Sequence, residues 1–173
     1  MKLKKHHKLI IAADGGAASG KTTGAKKISK KYGLKFLSSG ILYRFASYQL
    51  LKHKPKNRIS FLRKSFRKLN LKRLNKINLH TANISEHTSI IAKEKKVRLI
   101  LQKFQKRFAK RFKKVCIEGR DIGTVILPKA DIKFYFTCSL DVAAKRRFGE
   151  LRKKDNKIKL ADVKKSLKIR NYR

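Results

Sequence analysis

Gly15 to Thr22 reads Gly-Gly-Ala-Ala-Ser-Gly-Lys-Thr, an ungapped match to the phosphate-binding pattern G-x-x-x-x-G-K-[ST]. No other stretch constrains the fold as tightly, because the pattern is meaningful only between a strand and a helix. That context is present. Leu9-Ile10-Ile11-Ala12-Ala13 is an apolar run of strand length. Thr23 to Lys31 carries Ala25 and Ile28 on one side among lysines, and Gly33 stands where a helix would stop. Glycines let the loop turn its backbone N–H groups inward, and the helix N-terminus adds partial positive charge. Lys21 can then reach β- and γ-phosphates, and the Thr22 hydroxyl can ligand Mg²⁺. An ordinary Gly-rich turn would not require all four fixed positions together with both flanks. The stretch Gly15, Gly16, Ala17, Ala18, Ser19, Gly20, Lys21, Thr22 and Thr23 implies a nucleotide-phosphate site.

Charge is the next constraint. The 173 residues include 49 Lys and Arg against 10 Asp and Glu, a formal net charge of +39. Such a field attracts polyanions, nucleic acid first among them. The basic residues are spread along the chain instead of gathered in one tail, which favours a general lysine bias over a dedicated nucleic-acid face. Salt-sensitive, sequence-indifferent binding to RNA or DNA is expected as a side property. One domain is expected at this length. Cys116 and Cys138 each sit in an apolar, strand-like run and read as reduced, buried thiols. The five histidines lack ligand spacing. The apolar run behind the basic start is five residues long and ends at Asp14, too short for a signal peptide. A monomeric cytoplasmic protein with no membrane partner is expected.

Further along, Leu34 to Leu37 predicts a second strand closing at Ser38-Ser39-Gly40, and Ile41 to Leu51 a helix stopped before Pro55. Hydroxyls and N–H groups at that helix start, with Arg44 a turn in, suit a singly charged phosphate group. The segment 56–84 predicts a helix near Phe61 to Leu69 and two short strands near Ile77 to Ile84. Two helices follow to Phe112, meeting near Lys93 to Lys96; Val97, Ile100, Leu101, Phe104 and Phe108 step by three and four. Val115-Cys116-Ile117 predicts a buried strand running into Glu118-Gly119-Arg120-Asp121-Ile122-Gly123-Thr124-Val125. Carboxylates, glycine and arginine at a strand's C-terminal end lie where open α/β sheets bind ligands. Ile132 to Cys138 predicts another strand. A helix capped by Ser139 follows, bearing Lys145, Arg146, Arg147 and Arg152. Beside a phosphate site such residues can close as an arginine lid. Ala161 to Arg173 is the last predicted helix.

With these motifs in place the chain resembles the bacterial cytidylate kinases. The resemblance is carried by the Asp14-Gly15 glycine loop, Ser39-Gly40-Ile41-Leu42-Tyr43-Arg44, Val97-Arg98 with Gln105 behind it, and Glu118 to Val125. It runs from about Leu9 to Arg173 and is thinnest between Lys52 and Ile84. It implies an α/β fold: a P-loop kinase core, with a central parallel sheet flanked by helices, a monophosphate-binding insertion and a short lid. The single domain 1–173 would divide into core 9–37 and 114–173, insertion about 38–113 and lid about 146–160. The implied reaction moves the ATP γ-phosphoryl group to CMP or dCMP with Mg²⁺, giving CDP or dCDP. By position, Ser39 and Arg44 would hold the CMP phosphate and Ser89 and Arg98 would face the cytosine. Arg120 and Asp121 would contact the monophosphate and ribose, Arg146 would be the lid arginine, and Arg170 would reach the acceptor nucleotide. Lys21, Arg146 and Asp121 would be the catalytic set, with Thr22 on Mg²⁺.

The chain departs from the family pattern in places. Ser38 stands where an Asp is usual, Gly16 and Ala18 where Pro or Gly are usual, and Thr22 replaces Ser. In the family an Asp and an Arg, then a strand and a helix, follow the position of Arg173. The resemblance therefore implies an exposed sheet edge, marginal stability and weakened CMP binding in a 173-residue form. Two other functions fit parts of the sequence. A basic P-loop protein associating with RNA or ribosomes would use the charge but not the Ser39–Arg44 and Glu118–Val125 motifs. Another small-molecule kinase on the same core would not need Ser89 with Arg98.

Overall fold

Four parallel strands stand in the order β2-β3-β1-β4: β1 Leu9–Gly15, β2 Lys35–Ser38, β3 Lys114–Gly119 and β4 Ile132–Phe136. The computed structural model describes residues 8–152, 156 and 158–171, with side chains through residue 168. The basic lead-in before Lys8, most of the Asp155-Asn156-Lys157 break, Tyr172-Arg173 and the Arg170 side chain lie outside the described residues. Helix α1 (Lys21–Tyr32) joins β1 to β2, five helices join β2 to β3, and α7 (Leu140–Arg152) and α8 (Leu160–Asn171) follow β4.

The apolar runs of β1 and β3 become strands because both of their faces are covered. Side chains alternate across a strand. Ile11, Ala13 and Cys116 therefore meet Ala25 and Leu34 on the α1 side. Ala12, Val115 and Ile117 join Leu42, Phe45, Leu62, Phe66 and Leu101 on the other. Fully burying a side chain such as Leu62 or Phe66 contributes about 1.5–3 kcal/mol relative to leaving it in water. In register, Ala13 faces Glu118 across β1–β3, and Ser38 faces Glu118 across β2–β3. That pairing brings the ends of three strands to one place.

The segment between β2 and β3 is helical: α2 Ser39–His53, α3 Arg58–Arg67, α4 Leu71–Leu74, α5 Ala82–Ile91 and α6 Lys95–Arg111. Two expectations need correction here. Residues 77–84 do not form two strands; the chain is irregular to Thr81, whose hydroxyl accepts the Ile84 N–H and starts α5. Burial of Leu79 and Ile84 explains the apolar residues without any sheet pairing. Nor is Ser38-Ser39-Gly40 an open turn. Ser38 caps α2 by accepting the Ile41 N–H, so Ser39 and Gly40 are already helical. The stops at Gly33, left-handed at φ 65°, and before Pro55 fall where expected.

After β3 the chain makes one π-helical turn, Ile122–Ile126, which no periodicity announces. Asp14 holds it: the buried carboxylate accepts the N–H groups of Ile122 and Gly123 at 2.8 and 2.7 Å. A Cβ at Gly123 would lie 3.3 Å from that carboxylate and 3.2 Å from the Lys133 side chain, so a side chain there would have to displace both by a few tenths of an ångström. Cys116 is buried and free, and burial raises its thiol pKa. Cys138 corrects expectation: β4 ends at Phe136, and Cys138 is half-buried in the following loop with its Sγ 3.8 Å from Ala18 O.

Among the described residues β4 pairs with β1 alone and forms an edge. Ile132, Phe134 and Tyr135 are exposed on it. No described helix is long and apolar enough to cross a membrane.

Candidate active site

The C-terminal ends of the strands open into a cleft of about 1530 Å³. The glycine loop between β1 and α1 contributes to its lining. Gly15, Gly16, Ala17, Ser19, Lys21 and Thr22 line it, whereas Ala18, Gly20 and Thr23 do not. Ala18 sits at φ 58°, left-handed for a residue with a Cβ, and packs against the small core between α7 and α8. Lys21 Nζ donates to Gly16 O at 2.8 Å, folding the ammonium over the loop where phosphate oxygens would compete for it. Arg146 does not line the cleft, but its guanidinium reaches the loop's end: a Cβ on Gly20 would meet Arg146 Nη1 at 3.3 Å.

The same cleft is lined by Ser39, Arg44, Ser89, Arg98, Arg120 and Asp121, brought together from α2, α5, α6 and the loop after β3. Arg98 Nη2 donates to Asp121 Oδ2 in an ion pair that ties α6 to that loop. Arg44 donates to Leu79 O at 3.1 Å and to Ser85 Oγ at 2.7 Å, so in this structure it joins α2 to the start of α5. Burial, with Arg147 nearby, lowers the Arg44 pKa without removing its charge at neutral pH. Burial also lowers that of Arg120, against the influence of Asp121 and Tyr135. Ser89 Oγ donates to Glu86 O one turn back, 2.7 Å away. Lys21, Lys26, Arg44, Lys72, Lys93, Arg98 and Arg120 line the cleft against Glu118 and Asp121, a balance suited to two phosphorylated ligands.

Two cleft residues stand beyond the expected set. Tyr43 lies beside Arg98 and Asp121, and burial pushes its phenol up to about 12, so it is neutral and can donate a hydrogen bond. Glu118 is 3% exposed; its Oε1 accepts from Ser38 Oγ, and its Oε2 meets no hydrogen-bond donor among the described residues. The signal for Glu118 was a carboxylate ending the strand beside the glycine-loop strand.

A parallel sheet, a glycine loop between its first strand and helix, and a cleft lined by basic residues at the strand ends define a P-loop phosphotransferase. Comparison with known proteins narrows the class. The cytidylate kinase family model matches residues 11–173. The cytidylate kinase of Bartonella tribocorum is 38% identical over 169 residues, spanning 95% of this chain and 77% of its own length. That of Azorhizobium caulinodans is 40% identical over 147 residues, spanning 85% and 71%. That of Caldanaerobacter subterraneus is 34% identical over 172 residues, spanning 93% and 76%. The chain belongs to the cytidylate kinase family, and is an ATP-dependent nucleoside monophosphate kinase.

Proposed function

We propose that this cleft transfers the γ-phosphoryl group of ATP to CMP or dCMP, with the donor on the glycine loop and the acceptor between α2, α5, α6 and the loop after β3. The observation that carries this reading is a single cleft lined both by the loop with Lys21 and by Ser39, Arg44, Arg98 and Asp121. An acceptor phosphate oxygen attacks the γ-phosphorus as the bond to the β–γ bridging oxygen breaks, releasing ADP. That oxygen is already ionised near neutral pH, so no general base is required and Asp121 acts by positioning. What the site must supply is alignment and charge neutralisation. Lys21 and the loop amides would cover the transferring charge, and Arg146 would reach it from the lid of about 146–160. The helical segment 38–113 would serve as the monophosphate-binding insertion. Arg170 is assigned to the acceptor by resemblance.

The residues fit Mg²⁺. Thr22 offers a hydroxyl at the first turn of α1, and Glu118 offers a buried carboxylate oxygen that no described donor satisfies. A hydroxyl and one carboxylate, completed by phosphate and water, suit this hard cation. Thr22 and Glu118 would hold it, and when bound it would screen the β- and γ-phosphate charge. For the base, Arg98 would donate to the acceptor atoms of a cytosine edge, O2 and N3, and the Ser89 oxygen, whose proton goes to Glu86 O, would accept from the cytosine amino group. A coupled ADP-release assay across CMP, dCMP, UMP, AMP and shikimate tests the assignment. Turnover with CMP and dCMP well above the rest is expected, and a preference for any other acceptor overturns it.

A further inference from the structure

Helix α6 buries Val97, Ile100, Leu101 and Ala109, and in that apolar row stands an amide, Gln105, 2% exposed. A buried amide is costly unless it is hydrogen-bonded. Gln105 Nε2 donates to Ser39 Oγ at 2.7 Å, and Ser39 is itself buried in the first turn of α2 where it lines the cleft. The direction of this bond matters. A serine hydroxyl has one proton and two lone pairs. With one lone pair taken by Gln105, the proton is left to point elsewhere. Ser39 is also packed from its other side, since a Cβ at Gly119 would meet Ser39 Cβ at 3.1 Å.

We propose that Gln105 is a positioning residue for the acceptor phosphate: by donating to Ser39 Oγ it fixes that hydroxyl as a donor into the cleft. The inference rests on the assignment of the acceptor phosphate to Ser39 made above. It also gives α6 two roles. Gln105 follows Arg98 by two helical turns, about 10 Å of rise. One rigid helix then carries the guanidinium facing the base and the amide that orients the phosphate-binding hydroxyl.

The test compares CMP with cytidine, which lacks only the phosphate, by titration calorimetry on the wild-type chain, Gln105→Met and Gln105→Glu. Gln105→Met keeps the volume and removes the donor. It should weaken CMP about tenfold, the size of one hydrogen bond to a charged group, with cytidine affinity and the ATP KM changed less than twofold. Gln105→Glu accepts from Ser39 instead of donating to it, and should lose more CMP affinity with cytidine again unchanged. In a Ser39→Ala background, Gln105→Met should cost nothing further. Equal weakening of CMP and cytidine, or an undiminished CMP loss in the Ser39→Ala background, would show a packing role and overturn the proposal. If Gln105→Met does not fold, Gln105→Glu decides by the same comparison. A wild-type chain that binds cytidine as tightly as CMP would refute the acceptor-phosphate assignment itself, and the proposal with it.

Discussion

Lys21, Ala18 and Arg98 show how differently single residues act in one cleft. Removing the Lys21 ammonium takes a preorganised charge from the transferring phosphoryl group, which costs on the order of 3 kcal/mol or more in the barrier. Lys21→Ala is therefore expected to lower kcat at least a hundredfold, with a Tm shift of no more than a few degrees by calorimetry; retention of half the rate would refute the donor-site assignment. Ala18 holds a left-handed backbone that a Cβ disfavours by about 1–2 kcal/mol, partly offset because glycine is freer when unfolded. Ala18→Gly should thus raise stability by on the order of 1 kcal/mol, a Tm gain of roughly 2–4 °C at this length; a loss would mean that the Ala18 methyl group in the α7–α8 core outweighs the strain. Arg98→Ala removes a charged donor that contributes about 1.5–3 kcal/mol. Steady-state kinetics should show the CMP KM rising roughly ten- to a hundredfold with the ATP KM little moved, and equal losses for both would dismiss the cytosine-facing role.

At the scale of elements, the π-helical turn after β3 depends on a residue more than a hundred positions away in sequence. Asp14→Ala would strip both partners from two buried N–H groups, each costing about 1–3 kcal/mol when unsatisfied. The expected result is a Tm drop of several degrees and weaker CMP binding, because Arg120 and Asp121 lead directly into the turn. An unchanged Tm would mean that the turn is held by its own packing. Dependence on distant partners also explains why residues 77–84 form no strands. The spacing of Ile77, Leu79 and Ile84 suits a strand only if a sheet edge is available, and here Thr81 starts a helix instead. Strongly periodic α6, capped α2 and glycine-stopped α1 were legible because their signals lie within one or two turns.

For the whole molecule the dominant quantity is charge. A chain at +39 repels itself and attracts any polyanion. Binding to RNA and DNA of equal length, followed by fluorescence anisotropy, should be alike for both and should fall at least about tenfold between roughly 50 and 200 mM salt, as counterion release requires. One RNA retained at high salt would point to a dedicated nucleic-acid function. Seven of the basic residues line the cleft, together with the carboxylates of Glu118 and Asp121. The same positive excess leaves few carboxylates, of which Asp14 and Glu118 are buried among the described residues. Asp14 holds the π-helical turn, and Glu118 accepts from Ser38 Oγ where both of those residues line the cleft.

What the sequence determined by itself was local. The glycine loop needs only its own glycines, its lysine and the helix that follows, and the apolar runs of β1 and β3 announce strands covered on both faces. What tertiary structure decided were the partnerships across the chain: Ser38 with Glu118, Ser39 with Gln105 and Arg98 with Asp121. No spacing rule reaches from residue 38 to 118 or from 39 to 105. Strand register sets the first pair opposite each other, and the packing of α6 against α2 and β3 sets the second. Register and packing are fixed by burial summed over many distant residues, so the chemistry of these pairs becomes readable only once the sheet is assembled.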